Sequence, residues 1–351
     1  MIIQALAVVF VLSMIIFIHE LGHFLSARSI GIKVQEFSLG IGPALWTYKG
    51  KAAQYSVRLL PFGGYCLYDA NAEGDDEKGR PLSFTQRKPL HRMYVVLAGP
   101  VMNFLLAALI FAVLFSFLGV TVGFEPVIGQ LHEGSPADEA GLLPGDRIVS
   151  VDGEALEGWH DLSRLMAEKT AGEEVSLEIL RGGEARALVL TPRFNEAEGR
   201  LMIGVTVDLG GRIVERFNPI ISIQMGVRQT TMIIVMFVQS ISQMASGEVD
   251  IAANLAGPVG LAQMIGETAT TGFADLLFLT AFLSINLGII NILPVPILDG
   301  GKFIVYILEI IRRKPLNEKL EGYMNLFGLA MLLTLMLFLT VNDVFRVFGG
   351  G

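Results

Sequence analysis

A single cysteine, Cys66, in 351 residues leaves no partner for an internal disulfide and excludes a zinc site built from cysteines. Charge is scarce too. Asp, Glu, Lys and Arg make up 17% of the chain, against about 25% in average soluble proteins. Hydrophobic residues reach 52% and the mean hydropathy is +0.57, so something other than water solvates much of this chain. The net charge of −8 argues against a nucleic-acid binder. Histidine is confined to five positions, 19, 23, 91, 132 and 160, which leaves few ways to ligate a metal. The apolar N-terminal run lacks the basic start of a signal peptide, and cleavage after it would remove or strand His19 and His23. No Arg/Ser-rich transit segment precedes it, which favours a bacterial plasma membrane over an organelle.

Against that background stands Ile16-Phe-Ile-His-Glu-Leu-Gly-His-Phe24, which reads H-E-x-x-H. On a helix, positions i and i+4 share a face, so the imidazoles of His19 and His23 can reach one metal ion. Glu20 points about 100° away from His19, better placed to hold metal-activated water than to ligate. From Met1 to Ile18 the only polar side chains are Gln4 and Ser13. The motif therefore sits inside a membrane helix.

That first segment, about residues 2–24, is long enough to span roughly 30 Å of hydrocarbon. Residues 24–93 then carry ten Lys/Arg, which makes this loop cytoplasmic, the N-terminus outside and the metal motif close to the inner face. Within it, Ala44–Tyr48 and Ala53–Leu59 read as a β-hairpin beside the mouth of the site. The hairpin is either structural or a strand edge for an extended substrate, in which case proline near Tyr55–Val57 impairs cleavage. Asp69–Arg80 is acidic and reads as a mobile loop. A second apolar segment, about 93–119, has Gly99, Pro100 and Asn103 in its first turns, where the proline kinks the helix or marks its start. Residues 124–216 differ in composition, with 18 Asp/Glu against 9 Lys/Arg and short alternating strands such as Ser176–Leu180 and Ala187–Leu190. Met225–Met244 is apolar but interrupted by polar residues, and reads as an interfacial or bracing helix. Further apolar segments cover about 275–293 and 324–340. Between them, Lys302, Arg312, Arg313, Lys314 and Lys319 place that end in the cytoplasm as well. Four spans bring His19, His23 and Asp299 to one membrane face. On this count a fifth would separate them.

A catalytic zinc needs three protein ligands and an open position. His132 and His160 belong to the outside domain. His91 remains possible but lies in a basic Arg-Lys-Pro-Leu-His-Arg run. Asp299 is the better third ligand, because it follows a helix broken by two prolines, where exposed backbone must line a cavity. Its ordinary alternative is the N-cap of a helix at 302–311. Zinc lowers the pKa of its water towards ~7, Glu20 takes the proton, and Asn286 and Asn291 are candidate donors to the developing oxyanion. Helix-packing amides are the ordinary reading of both.

H-E-x-x-H joined to Asn291-Ile-Leu-Pro-Val-Pro-Ile-Leu-Asp-Gly300, with Gly257-Pro-Val-Gly260 between, resembles the site-2 protease family of intramembrane zinc metalloproteases, in its bacterial regulator-of-sigma-E protease type. Ser135–Asp146 followed by Arg147–Gly153 resembles the PDZ domain of secreted proteases, in which the glycine-leucine stretch leads into the strand of the binding groove. The resemblance implies an α-helical polytopic membrane protein of about four transmembrane helices with a membrane-associated β-hairpin and one inserted PDZ-like α+β domain. Residues 1–119 hold the first transmembrane pair, 120–216 the PDZ-like domain, 217–274 interfacial helices and 275–351 the second pair. It further implies Zn2+ on His19, His23 and Asp299, Glu20 as catalytic base, and Asn291, with Asn286, on the substrate or transition state. The implied substrates are single-pass membrane proteins such as anti-sigma factors, and signal-peptide remnants. The better-studied Gram-negative type has two PDZ domains, so a size filter made by a pair does not carry over to this chain. The competing class is a non-catalytic PDZ scaffold, but Glu20 beside the ligand pair has no use in a structural site. A metal transporter would want more intramembrane acidic or histidine residues.

Overall fold

The structure, a computed structural model, describes residues 1–69, 83–195, 199–246 and 257–348. The remainder of the acidic stretch read as a loop, residues 70–80, and the approach to Gly257 at 254–256 lie outside the described residues. Contacts divide the chain into two units, Met1–Ser116 with Asn218–Gly351, and Phe117–Phe217.

Helix α1 (Ile2–Ser29) runs on past the metal motif. It stops where Gly31 takes φ 75°, its N–H bonding Arg28 O while the Ile32 N–H bonds Ala27 O. This paired C-terminal bonding needs a left-handed residue, which glycine supplies without strain. Strands β1 (Val34–Lys49) and β2 (Gln54–Tyr68) follow, both bent. Bending gives each of residues 36–39 two partners, one from 54–57 and one from 64–67. Tyr55–Val57 is therefore no edge: it lies between 37–39 and 46–48. Among the described residues, the segment 64–68 pairs on one side only.

Helix α2 (Pro89–Val113) opens with Pro89 in its first turn and contains Pro100, so that proline is internal to the helix and does not mark its start. A π-helical turn, Leu114–Leu118, ends the segment. In the second unit, strands β3 (Val120–Phe124) and β4 (Ile128–Leu131) precede a short helix α3 (Pro136–Glu139) and strand β5 (Arg147–Val151). Strand β6 (Glu154–Ala155), helix α4 (Trp159–Ala167) and strands β7 (Val175–Arg181) and β8 (Glu184–Leu190) come next. Four short strands complete it: β9 (Arg193–Asn195), β10 (Arg200–Met202), β11 (Val205–Val207) and β12 (Arg212–Glu215). One sheet runs β6-β5-β7-β8, and pairs β4-β11, β3-β12 and β9-β10 stand beside it. Ile148, Leu177, Ile179, Leu162 and Leu165 fill the core beneath α4. Asp146, 1% exposed, accepts both Arg181 Nε (2.7 Å) and Nη2 (2.6 Å) and the Leu143 N–H (2.8 Å).

Back in the first unit come helices α5 (Pro219–Ala245), α6 (Pro258–Thr271), α7 (Phe273–Ile292), α8 (Asp299–Arg312) and α9 (Glu318–Phe348). In lipid the gain on helix association comes from close packing, which small residues permit. A methyl added at Gly22 would lie 2.3 Å from Ala98 O of α2, and at Gly226 2.4 Å from Ala108 O, so α1 and α5 both abut the backbone of α2. Among the described residues, five helices are long and apolar enough to cross a membrane, α5 among them. The expectation that a fifth such helix would part Asp299 from the histidines fails for a specific reason. Helix α5 starts beside Ala108 and Ala112, at the end of α2 remote from Val95, and α6 lies at that same remote end. There Gly266 packs on Gln4, while the N–H groups of Gly257 and Gly260 bond the Asp343 carboxylate. Helices α5 and α6 thus both begin at this end, and so does α7, whose Phe278 packs on Phe111 while Gly288 further along meets Phe104.

Candidate metal centre and its cavity

One turn of α1 presents His19 and His23, buried at 7% and 8% exposure, and α8 begins with Asp299, at 9%. The Nε2 atoms of the two imidazoles are 3.2 Å apart, and Asp299 Oδ2 lies 3.1 Å from His19 Nε2 and 3.3 Å from His23 Nε2. Asp299 is the first residue of α8 and Leu298 is its N-cap, so the carboxylate is not a cap. Among the described residues no other His, Cys, Asp or Glu belongs to the group. Exposed His91 sits in the first turn of α2 and does not line the cavity. His132 and His160 are exposed on the other unit.

Tetrahedral zinc with bonds of about 2.0–2.1 Å sets its donors about 3.3–3.4 Å apart. The observed triangle has that size. Asp299 Oδ2 is buried and makes no hydrogen bond, as expected of an oxygen whose partner is a cation. The donor set, two imidazoles and one carboxylate with no thiolate, is that of catalytic zinc, and it leaves a fourth position open.

Helix α2 supplies the support. His23 Nδ1 donates to Val95 O at 2.9 Å, and His19 Nδ1 faces Asn103 Nδ2 at 3.2 Å. A methyl on Gly99 would lie 2.4 Å from His23 Nε2 and 2.9 Å from His19 Cε1, so only glycine lets this helix back onto both rings.

The triangle opens on a cavity of about 580 Å³, whose walls include Glu20, Gly64–Tyr68 of β2 with Asp69 after it, Asn291, Lys302 and Tyr306. Asn291 lines it, its Nδ2 donating to Leu287 O at 3.0 Å. Asn286 does not line it. The one-sided segment of β2 forms a wall. Burial first, then the Glu20 carboxylate, push the Cys66 thiol up to about 12, and burial drives the Tyr68 hydroxyl well above its usual range. At the far side Arg92, stacked 4.5 Å from the centre of the Tyr306 ring, pairs with buried Glu309, which also accepts the Leu316 N–H at 3.0 Å. This pair ties the start of α2 to the helix that bears Asp299.

Sequence reasoning passed over Gly99 and Asn103 as metal-site residues. The signal was there for Asn103, because its amide, like those of Asn286 and Asn291, is expensive among apolar side chains unless used. The Gly141–Asp146 stretch leads into β5, which is partnered on both sides by β6 and β7. A small cavity of the second unit lies between α4 and residues 200–205.

Comparison with known proteins gives a match to the family model Peptidase family M50 over residues 7–335. A protein of Clostridium acetobutylicum, provisionally named a zinc metalloprotease, is 34% identical over 332 residues, covering 94% of both chains. The zinc metalloprotease RasP of Bacillus licheniformis is 29% identical over 429 residues, covering 98% of this chain and 99% of that one. The PDZ domain of an SdrC-like protein from Listeria monocytogenes is 22% identical and covers 25% of this chain and 93% of its own. Its TM-score of 0.23 is too low to fix the fold of the segment.

Proposed function

The chain belongs to peptidase family M50, and from that membership and the His19–His23–Asp299 triangle we propose an intramembrane zinc endopeptidase. It hydrolyses peptide bonds within or beside the membrane segment of single-pass proteins, anti-sigma-factor-like chains and signal-peptide remnants among them. The triangle carries this reading. Its edges of 3.1, 3.2 and 3.3 Å suit three corners of a zinc tetrahedron, and Glu20 lines the same cavity. A scaffold with a structural metal would close the site with a fourth ligand.

His19, His23 and Asp299 would hold a zinc ion, which would supply Lewis acidity to the peptide carbonyl and acidify water. Glu20 receives the proton of the attacking water and passes it to the leaving amine. Asn291, whose amide keeps a second N–H beyond the one given to Leu287 O, donates to the carbonyl oxygen as charge builds there. A helical substrate shields its peptide bonds and has to unwind before they react. The one-sided segment Gly64–Tyr68 then receives the extended chain as an added strand. The ten Lys/Arg between residues 24 and 93 support an active site near the cytoplasmic face of a bacterial plasma membrane. On that topology the acidic segment 117–217 is an extracytoplasmic PDZ-like domain, which binds peptide in its α4 groove or holds back bulky substrates.

Glu20→Gln, assayed on a tagged single-pass substrate, keeps one zinc per chain and stops cleavage. Cleavage at the wild-type rate would refute the role of Glu20, and absence of zinc from the wild-type protein would refute the whole reading.

A further inference from the structure

We propose that Asn103 is a positioning residue that fixes the tautomer of His19, its side-chain oxygen accepting from His19 Nδ1–H so that Nε2 is free for the metal. The inference rests on the zinc reading of the site and deepens it.

The two imidazoles need the same protonation pattern to bind one metal, with the proton on Nδ1 and the lone pair on Nε2. For His23 the pattern is enforced by geometry. Its Nδ1 faces Val95 O at 2.9 Å, and a carbonyl can only accept. For His19 the facing group is the Asn103 amide, 3.2 Å from Nδ1 with its nitrogen. In that orientation the amide donates, His19 Nδ1 accepts, and the ring proton moves to Nε2. It would then point among His23 Nε2 and Asp299 Oδ2, where the metal belongs. Nothing holds the amide that way round. Asn103 is fully buried, and its Oδ1 has no hydrogen-bond partner. The nitrogen and oxygen of an amide are nearly the same size, so its sense is decided by the partners available. Reversed, Oδ1 accepts from Nδ1–H and both histidines offer Nε2 to the same point. Ser284 Oγ of α7, itself fully buried, donates to the backbone carbonyl of Asn103 at 2.9 Å and pins this turn of α2, from which the amide reaches His19. Two supports about two turns apart on the same side of α2, a carbonyl and an amide oxygen, thus set the two ligands.

The test is zinc affinity of the purified full-length protein by competition with a chromophoric chelator. Asn103→Leu preserves shape but cannot accept, and it lowers affinity ~10–100-fold, the usual effect of losing such a partner. Asn103→Asp keeps the acceptor and binds within about threefold of wild type or tighter, since a carboxylate also orients a metal-bound imidazole. Equal affinity of the leucine variant and wild type overturns the proposal, as does equal weakness of both variants, because a purely packing role predicts no rescue by aspartate. A wild-type chain that binds no zinc would instead sink the zinc reading. A second measurement needs no variant. With the histidine ring nitrogens labelled and zinc bound, NMR finds His19 protonated at Nδ1 and bound through Nε2, and the reverse assignment refutes the proposal.

Discussion

Gly99→Ala is the smallest change that attacks the metal centre without touching a ligand. Its Cβ would stand 2.4 Å from His23 Nε2 and 2.5 Å from His23 Cε1, where ordinary contacts begin at 3.4 Å. Either the ring or the helix has to move by about 1 Å. Movement of the ring pulls Nδ1 off Val95 O, now at 2.9 Å, and breaks the 3.1–3.3 Å triangle. Movement of the helix draws α2 off α1 and opens the close packing of Gly22 on Ala98 O. Overpacking of this kind costs ~1–3 kcal/mol in stability, which a fold of this size survives. Loss of ligand orientation weakens metal binding ~10–100-fold, and a misplacement of about 1 Å slows chemistry ~100-fold. The assay is zinc content after dialysis against a graded chelator, alongside cleavage of a tagged single-pass substrate, with circular dichroism to confirm helix content. A variant that keeps wild-type zinc affinity and cleaves within a few-fold of wild type would refute the close approach of α2 to the ligands.

Three further outcomes follow from particular groups. Leu67→Cys, on the one-sided segment of β2, cross-links to a cysteine near the scissile bond of a substrate trapped by Glu20→Gln, while Val57→Cys does not; equal cross-linking at both positions contradicts strand addition at 64–68. With the Cys66 thiol pushed up to about 12, maleimide labelling of the folded protein at pH 8 runs roughly a hundred- to thousandfold below a free thiol. Labelling also keeps climbing beyond pH 9, where a free thiol levels off, and a free-thiol rate in the folded protein would show that the strand does not bury it. In the second unit, burial would raise the Asp146 carboxyl, but the Arg181 guanidinium and the Leu143 N–H outweigh it and hold the group below its usual range. A depressed carboxyl stabilises above the unfolded pKa of ~3.9 and loses that contribution as pH falls through the folded value. Hydrogen exchange in β5 and β7 of the full chain therefore accelerates below about pH 4, and Asp146→Asn weakens the unit by ~2–3 kcal/mol at pH 7. Unchanged protection in the variant would refute the pair as a brace.

The parts of this protein that can be read from sequence are those whose geometry is local. His19 and His23 share a helix face by spacing alone, and the double proline before Asp299 marks a break that has to line a cavity. What stayed hidden depends on contacts between distant segments. The pairing of β1 with both arms of β2 turns on bends at Gly40, Gly42 and Gly63, all at φ near 90°, and no alternation pattern shows which arm ends at the edge. Gly99 and Asn103 belong to the centre only because Gly22 lets α1 and α2 touch. Counting apolar helices could not show that α5 and α6 begin at the same end of α2, because that rests on contacts such as Gly226 with Ala108 and Gly257 with Asp343.

Zinc-edge X-ray absorption on the purified wild-type chain tests the central assignment most directly. The account predicts a first shell of two imidazole nitrogens and oxygen donors at about 2.0–2.1 Å, with no sulfur. A sulfur scatterer near 2.3 Å, which the nearby Cys66 would supply, or fewer than two imidazoles, would contradict it.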